Sequence, residues 1–477
     1  MKAIRLSALA LIAAASTAHA QSSVVPLKVV DTAFMDTTVK ACTDFNRFAN
    51  GRWLAHDTIP AAYSSSGVAR DMTDRNELVV RSVLDDVMAK RASLPAGSTQ
   101  RKLGTFYATC MDSAAAERAG LAPVRPELAA ASAITSRAQL LAEITRLQST
   151  GHNVLFRFFP SVDQHDPAHY IAVLWQGGLG LPDRDYYTRE GASPDSIRTN
   201  YLTHITRLLT LSGESAASAK ADAQRVYDLE KQLALASLTR VAMRDPSAVD
   251  HPVTEQQLVS MAPHVNWTQY FHSAGVAHPI TKLNVAQPAF VARADTLLAT
   301  APLESWRAYL RYHVLSSASP WLSTPFVKES FVFSSMFSGA KELLPRWKRC
   351  LRETDDQMGE ALGKAYVEKT FPPGAKARAK QVIDDIRTAF GKRLEHLTWM
   401  SDTTKARAED KLAKMHEKVG YPVRWLDDAK CYGLYGAFVL NDIRADNFEW
   451  DRTVNRPGEA VDTTEWDMTV PTVNAYY

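Results

Sequence analysis

Val382-Ile383-Asp384-Asp385-Ile386-Arg387-Thr388-Ala389-Phe390-Gly391-Lys392-Arg393-Leu394-Glu395-His396-Leu397 reads as a helix with one apolar face. Val382, Ile386, Phe390, Leu394 and Leu397 follow at steps of four, four, four and three, the spacing that stacks side chains along one side of a 3.6-residue period. Working outward, Ala408, Leu412, Met415 and Val419 repeat the pattern. Ser401 or Asp402 is placed to cap that second helix, and Gly420 with Pro422 to end it. Upstream, Val226, Leu229, Leu233 and Ala236 mark another. Stripes of this kind are expected to pack into a core, so the fold class is mainly α with a few short strands.

Strand signals are sparse. Residues 154–159 and 170–175 are short apolar runs on either side of Asp163-Gln164-His165-Asp166-Pro167, which predicts a hairpin. Residues 472–477 are a further candidate strand. Turn residues punctuate the chain at Gly177-Gly178, Leu181-Pro182-Asp183, Pro372-Pro373-Gly374 and Arg456-Pro457-Gly458. Residues 427–465 lose helical periodicity and gain Asp, Asn, Gly and Pro, which places a lobe boundary there.

The 477 residues are 46% hydrophobic and 22% charged, enough for a large core in two lobes. Lys+Arg 55 against Asp+Glu 52 leaves a net +3, which gives no sign of a nucleic-acid partner or an acidic membrane surface. Lys2 and Arg5, the apolar residues 6–15 and Ala18-His19-Ala20 form a secretory signal pattern with cleavage after Ala20. Its apolar stretch is short of the ~20 residues that span a bilayer. The mature protein is thus expected to be exported, periplasmic or extracellular, with no membrane segment after cleavage. Residues 21–40 read as a flexible leader. Cys42, Cys110, Cys350 and Cys431 contain no C-x-x-C motif. Disulfides suit an oxidising compartment, and spacing alone leaves all three pairings open.

Catalytic patterns are missing from the sequence. His416-Glu417-Lys418-Val419-Gly420 begins an H-E-x-x-H zinc motif, but glycine stands where the second histidine ligand would be. His165 and His169 have i,i+4 spacing, yet Pro167 between them breaks the helix that would bring the imidazoles together. They are read as exposed turn residues. No G-x-S-x-G elbow or phosphate-binding glycine loop occurs. Asp85-Asp86 and Asp384-Asp385 are read as solvated helix surface, and Asn266-Trp267-Thr268 as an ordinary loop. No catalytic residue and no metal ligand is assigned.

Several stretches, in order, carry a family resemblance. Cys42-Thr43-Asp44-Phe45-Asn46-Arg47-Phe48-Ala49-Asn50-Gly51-Arg52-Trp53-Leu54 is followed by Phe106-Tyr107-Ala108-Thr109-Cys110-Met111-Asp112 and Gly178-Leu179-Gly180-Leu181-Pro182-Asp183-Arg184-Asp185-Tyr186-Tyr187. Arg346-Trp347-Lys348-Arg349-Cys350, Trp399-Met400, Gly420-Tyr421-Pro422 and Trp466-Asp467-Met468 with Val473-Asn474-Ala475-Tyr476-Tyr477 complete the series. Over residues 41–477 the chain resembles the neprilysin and endothelin-converting-enzyme family of zinc metalloendopeptidases.

The resemblance implies a large helical lobe that caps a thermolysin-like zinc lobe around a closed cavity. On that reading residues 41–437 are the substrate-enclosing helical lobe, and residues 438–477 are the first strands of the catalytic one. Asn474 and Ala475 match the family pair that hydrogen-bonds the substrate main chain. Cys110 and Cys350 match a family disulfide. Cys42 matches a cysteine whose partner lies near the family's C-terminus, which leaves it unpaired or able to pair with Cys431. The family's zinc ligands and general base lie downstream of the segment matched by residues 466–477 and have no counterpart here, so no zinc cofactor is assigned. The expectation is the helical portion of an exported zinc endopeptidase, inactive alone, with peptides as partners. Two rivals are a non-enzymatic peptide-binding protein and one half of a split peptidase completed by a separately encoded zinc lobe.

Overall fold

The computed structural model describes residues 28, 30–372, 374–426 and 434–476. The signal pattern at 1–20, most of the leader, Cys431 and Tyr477 lie outside them. The chain divides into two units, residues 1–58 and 59–477. In the first, α1 (Phe45–His56) begins where the Asp44 carboxylate accepts the Arg47 amide at 2.9 Å, a side-chain cap for a backbone donor the helix leaves unpaired. Cys42 precedes it as a free, exposed thiol.

The second unit is mainly helical. Its principal helices are α2 (Val68–Lys90), α3 (Thr99–Met111), α4 (Arg137–Gln148), α5 (Ala192–Leu211), α6 (Ala216–Ala236), α7 (Trp267–Ser273) and α8 (Leu303–Ala318). They are followed by α9 (Arg346–Thr370), α10 (Ala375–Glu395), α11 (Asp402–Lys414) and α12 (Phe438–Thr453). One large core joins them, with Tyr107, Tyr201, Trp267, Trp306, Tyr309 and Tyr312 almost wholly buried. Val226, Leu229 and Leu233 face it from α6, as their spacing predicts. Cys110 on α3 and Cys350 on α9 form a buried disulfide with Cα atoms 5.6 Å apart.

The expected hairpin is present. β1 (Phe156–Val162) pairs antiparallel with β2 (Tyr170–Gln176), Phe156 opposite Gln176 and Val162 opposite Tyr170. Two strands the sequence did not disclose, β3 (Pro252–Thr254) and β4 (Lys282–Val285), complete a sheet of order β1-β2-β4-β3. One face packs on α7, where Phe156 and Phe158 meet Trp267, Tyr270 and Phe271.

Four expectations need correction. The candidate strand at 472–477 does not form over its described residues: 472–476 carry no strand pairing, because no neighbouring strand among the described residues takes up their backbone groups. The stripe on α10 does not pack into the core, since Val382, Ile386 and Phe390 are exposed and Leu394 alone of that run is buried. The helix capped by Ser401 ends at Lys414, not at Gly420. There Arg387 of α10 donates to the Leu412 carbonyl and, at 2.9 Å, to Glu417. Those contacts draw the chain out of the helix and across α10. Finally, residues 438–453 form α12 despite their weak periodicity. Phe438, Val439 and Ala445 join the main core, and Asn441 donates to Thr109 Oγ1 at 3.2 Å.

Candidate functional site

The Gly178–Pro182 stretch rests on a buried carboxylate. Glu230 on α6 is fully buried and accepts from Tyr187 Oη at 2.7 Å and Tyr201 Oη at 2.6 Å. Its other oxygen lies 2.9 Å from His313 Nε2, which places an imidazole proton on that nitrogen. Burial, then the Glu230 charge, pushes the Tyr187 and Tyr201 phenols well above their usual range, so both remain donors. Tyr187 Oη also accepts the Leu181 amide at 3.0 Å. Tyr309 Oη donates to the Gly178 carbonyl at 2.8 Å and accepts the Leu155 amide at 2.9 Å. A Cβ at Gly178 or Gly180 would run into the Tyr309 or Tyr201 hydroxyl, and Gly178 has φ +71°. The glycines are therefore required by close approach and backbone conformation together. Leu155 beside them has φ 60°, a strained conformation for a γ-branched residue that the Tyr309 hydrogen bond helps to hold.

The same stretch forms one wall of a cavity of about 810 Å³, a volume within the ~300–1,000 Å³ typical of ligand sites. Residues 156–159 of β1 form another wall, with Trp175, Met243 and Trp450. Arg157 and Arg240 line it too. Arg240 lies 3.9 Å from Asp183, and Arg157 has no carboxylate partner among the described residues. His152 is buried at its side, and loss of hydration depresses its basicity, partly offset by Glu127, so it is neutral.

Asn474 and Ala475 lie elsewhere and line no part of this cavity. Both are exposed, and the Ala475 amide donates locally to Asn474 Oδ1 at 2.8 Å. The residues just before them are pinned. Thr469 Oγ1 donates to Asp355 Oδ2 at 3.0 Å, and Asn76 of α2 donates to the Pro471 carbonyl. Tyr366 Oη in turn holds Asn76 Oδ1 at 2.7 Å. Thr469 and Val470 lie over Gly359 and Gly363 of α9 where side chains would collide. Burial pushes the Asp355 carboxyl up to about 6.

Zinc does not fit the residues described. No group of three or more His, Cys, Asp or Glu is arranged to hold a metal among them. His165 pairs with Asp250 and His169 with Asp166, each at 2.7 Å, so the two imidazoles serve separate carboxylates on an exposed turn. His416 lies beyond the end of α11 and is exposed. Asn266 proves to be a helix cap, accepting the Gln269 amide at 3.0 Å.

A helical body around a Gly-Leu-Pro segment, closed by the Cys110–Cys350 bridge, matches one peptidase class. The sequence profile of Peptidase family M13 fits residues 41–422, and the chain belongs to that family. It is 27% identical over 464 residues to endothelin-converting enzyme 1 of Homo sapiens, covering 93% of this chain and 59% of that protein. Neprilysin-3 of Drosophila melanogaster is also 27% identical, over 480 residues, with coverage of 93% and 59%. The chain thus spans about three fifths of the length of these curated relatives. Among solved structures, the zinc metalloprotease ZMP1 of Mycobacterium tuberculosis in complex with inhibitor superposes with a TM-score of 0.87 at 32% identity, covering 94% of this chain and 68% of that one. No helix among the described residues is long and apolar enough to cross a membrane.

Sequence reading found β1 as a hairpin strand but missed the cavity and the edge position of β1 beside it. β3 and β4 are short, and β2 pairs with β4 across more than a hundred residues, which local periodicity does not encode. One signal was available: Pro160 inside β1, since proline in a sheet favours an edge.

Proposed function

We propose that residues 41–477 are the helical, peptide-enclosing portion of an exported, periplasmic or extracellular zinc metalloendopeptidase. Asn474 and Ala475 would pair with the main chain of an extended peptide. The observation that carries this is the pinning of residues 469–471 by Asp355 and Asn76, which fixes the segment's approach yet leaves Asn474 and Ala475 exposed. The catalytic lobe proposed to start at 438–477 would begin after α12, which belongs to the helical core. Peptide-bond hydrolysis needs the H-E-x-x-H residues of the family, and this sequence contains none. Hydrolysis therefore requires a zinc lobe in addition to these residues, and this chain alone should bind peptide without cleaving it.

The test is binding of a fluorescent extended peptide library by the purified chain, with Asn474→Ala beside the wild type. Weakening of about tenfold in the variant supports the reading, and equal binding by both removes Asn474 from it. Chelator-sensitive cleavage with stoichiometric zinc in the isolated chain would overturn the proposed division of labour. An N-terminus at Gln21 in protein recovered from the periplasm or medium would support export.

A further inference from the structure

The large cavity runs along an unpaired strand edge. β1 is the outer strand of the sheet, and four consecutive residues, Phe156, Arg157, Phe158 and Phe159, line the cavity. Side chains of a strand alternate between faces, so a run of four neighbours marks the cavity as lying beside the strand. The hydrogen-bond parity fixes which backbone groups face it. Leu174 on β2 accepts the Ala286 amide at 2.9 Å, so even-numbered residues of β2 turn toward β4 and odd-numbered ones toward β1. In the antiparallel register, Arg157 lies opposite Trp175 and Phe159 opposite Val173. Odd residues of β1 therefore bond to β2, as the Asp163 amide to His169 carbonyl bond at 3.0 Å does just beyond the strand. Phe156, Phe158 and Pro160 point their backbone groups outward.

Two of those three positions are already closed. Gln148 Nε2, oriented by Tyr270 Oη, donates to the Phe156 carbonyl at 2.6 Å and the Val154 carbonyl at 3.0 Å. It acts as a stub of a neighbouring strand. Pro160 has no amide to offer. Phe158 remains, with its N–H and C=O turned outward toward the cavity and, among the described residues, no hydrogen-bond partner beyond the sheet for either. At the mouth stand Arg157 and Arg240, with Asp183 beside Arg240, so the mouth has a net positive charge while His152 is neutral. Trp175, Phe159 and Leu179 give the walls an apolar character.

We propose that this cavity is a second peptide-binding site, where a short extended segment with an apolar side chain and a free C-terminal carboxylate pairs with Phe158. The peptide's main chain would exchange two hydrogen bonds with Phe158, and its carboxylate would meet Arg157. With Gln148 at one end and Pro160 at the other, the free edge admits about three or four residues of extended chain at ~3.3 Å each. The choice of a peptide rests on the function proposed above. The site itself is separate from Asn474 and Ala475.

The probe is a fluorescein-labelled tetrapeptide ending in a free C-terminal phenylalanine, titrated into the full chain by anisotropy. Comparison peptides carry a C-terminal amide or one N-methyl group on the central amide, which blocks strand pairing without touching the protein's fold. We expect each change, and Arg157→Gln in the protein, to weaken binding about tenfold or more. Val382→Ser, at an exposed position outside both sites, should leave it within twofold. Hydrogen exchange should show new protection at residues 156–160 on peptide addition and none at 472–476. Loss of binding with Asn474→Ala but not Arg157→Gln would overturn the cavity site while sparing the Asn474 reading. Equal binding of the N-methyl peptide would overturn the strand pairing, and no binding of the tetrapeptide by the wild type would overturn the cavity site, while the peptide library still tests Asn474.

Discussion

The α5–α6–α8 region and the α10–α11 pair carry the same sequence signature and end in opposite surroundings. Val226, Leu229 and Leu233 on α6 are buried, whereas Val382, Ile386 and Phe390 on α10 are 53%, 61% and 49% exposed. Periodicity reports that a helix has two faces. It does not report whether anything covers the apolar one. What separates the regions is polar content: α6 carries Glu230 inside its buried face, committed to Tyr187, Tyr201 and His313. α10 instead turns its charges to the surface, as in Lys380 with Asp384 and Arg387 with Glu417.

The sharpest way to break this contrast is Glu230→Leu. It strands two buried tyrosine hydroxyls and an imidazole, and removing one partner of a buried polar cluster costs about 3–5 kcal/mol. Urea unfolding should show that loss, with Glu230→Gln closer to wild type because an amide still accepts. Loss below about 1 kcal/mol for Glu230→Leu would mean the network is not what holds the Gly178–Pro182 stretch. Next in size is the disulfide between α3 and α9. Cys110→Ser with Cys350→Ser should cost about 2–4 kcal/mol, read as an earlier urea midpoint, while Cys42→Ser, at an exposed free thiol, should not shift it.

Legibility in the sequence followed the range of the interactions. The hairpin was readable because residues 163–167 mark its turn and its partners are close in the chain. The Cys110–Cys350 pair came from family resemblance, since spacing left three pairings open. Glu230 was illegible, because a glutamate in a helical stripe looks like any other until Tyr187, Tyr201 and His313 converge from other elements. α12 was passed over because its buried residues, Phe438, Val439 and Ala445, are separated by Asp and Asn, one of which, Asn441, is itself buried and bonded. The Phe158 edge depends on sheet order, which no local pattern contains.

A smaller effect should come from pH. At the α9–α12 junction, burial pushes the carboxyls of Asp355 and Asp446 up to about 6, and Asp442, beside Glu353, is raised as well. These acids hold their protons more tightly folded than unfolded. Their stabilising contribution is complete below about pH 4 and is lost as pH rises through about 6. A shift of two units corresponds to at most about 2–3 kcal/mol per group. Asp446→Asn, which keeps an acceptor for Gln357 Nε2 at 2.9 Å, should raise the melting temperature at pH 8 and leave it nearly unchanged at about pH 3, below the unfolded carboxyl's range. A lower melting temperature at pH 8 would show that the Asp446 carboxylate stabilises the junction.

The smallest expected effect tests the exposed side of the comparison. Val382→Ser, Ile386→Ser and Phe390→Ser together should change the urea midpoint little, within about 0.5 kcal/mol per site, as surface substitutions do. Leu394→Ala on the same helix removes a buried side chain and should cost about 2–5 kcal/mol if its surroundings are packed like a core. The two results together separate a helix face from its covering. Serine at the three exposed positions should also reduce concentration-dependent association in sedimentation, because Trp399 and Met415 leave further apolar surface uncovered nearby in sequence, and uncovered apolar surface favours association. If the triple serine variant unfolds as readily as Leu394→Ala, the α10 stripe is covered in solution, and the contrast with α6 disappears.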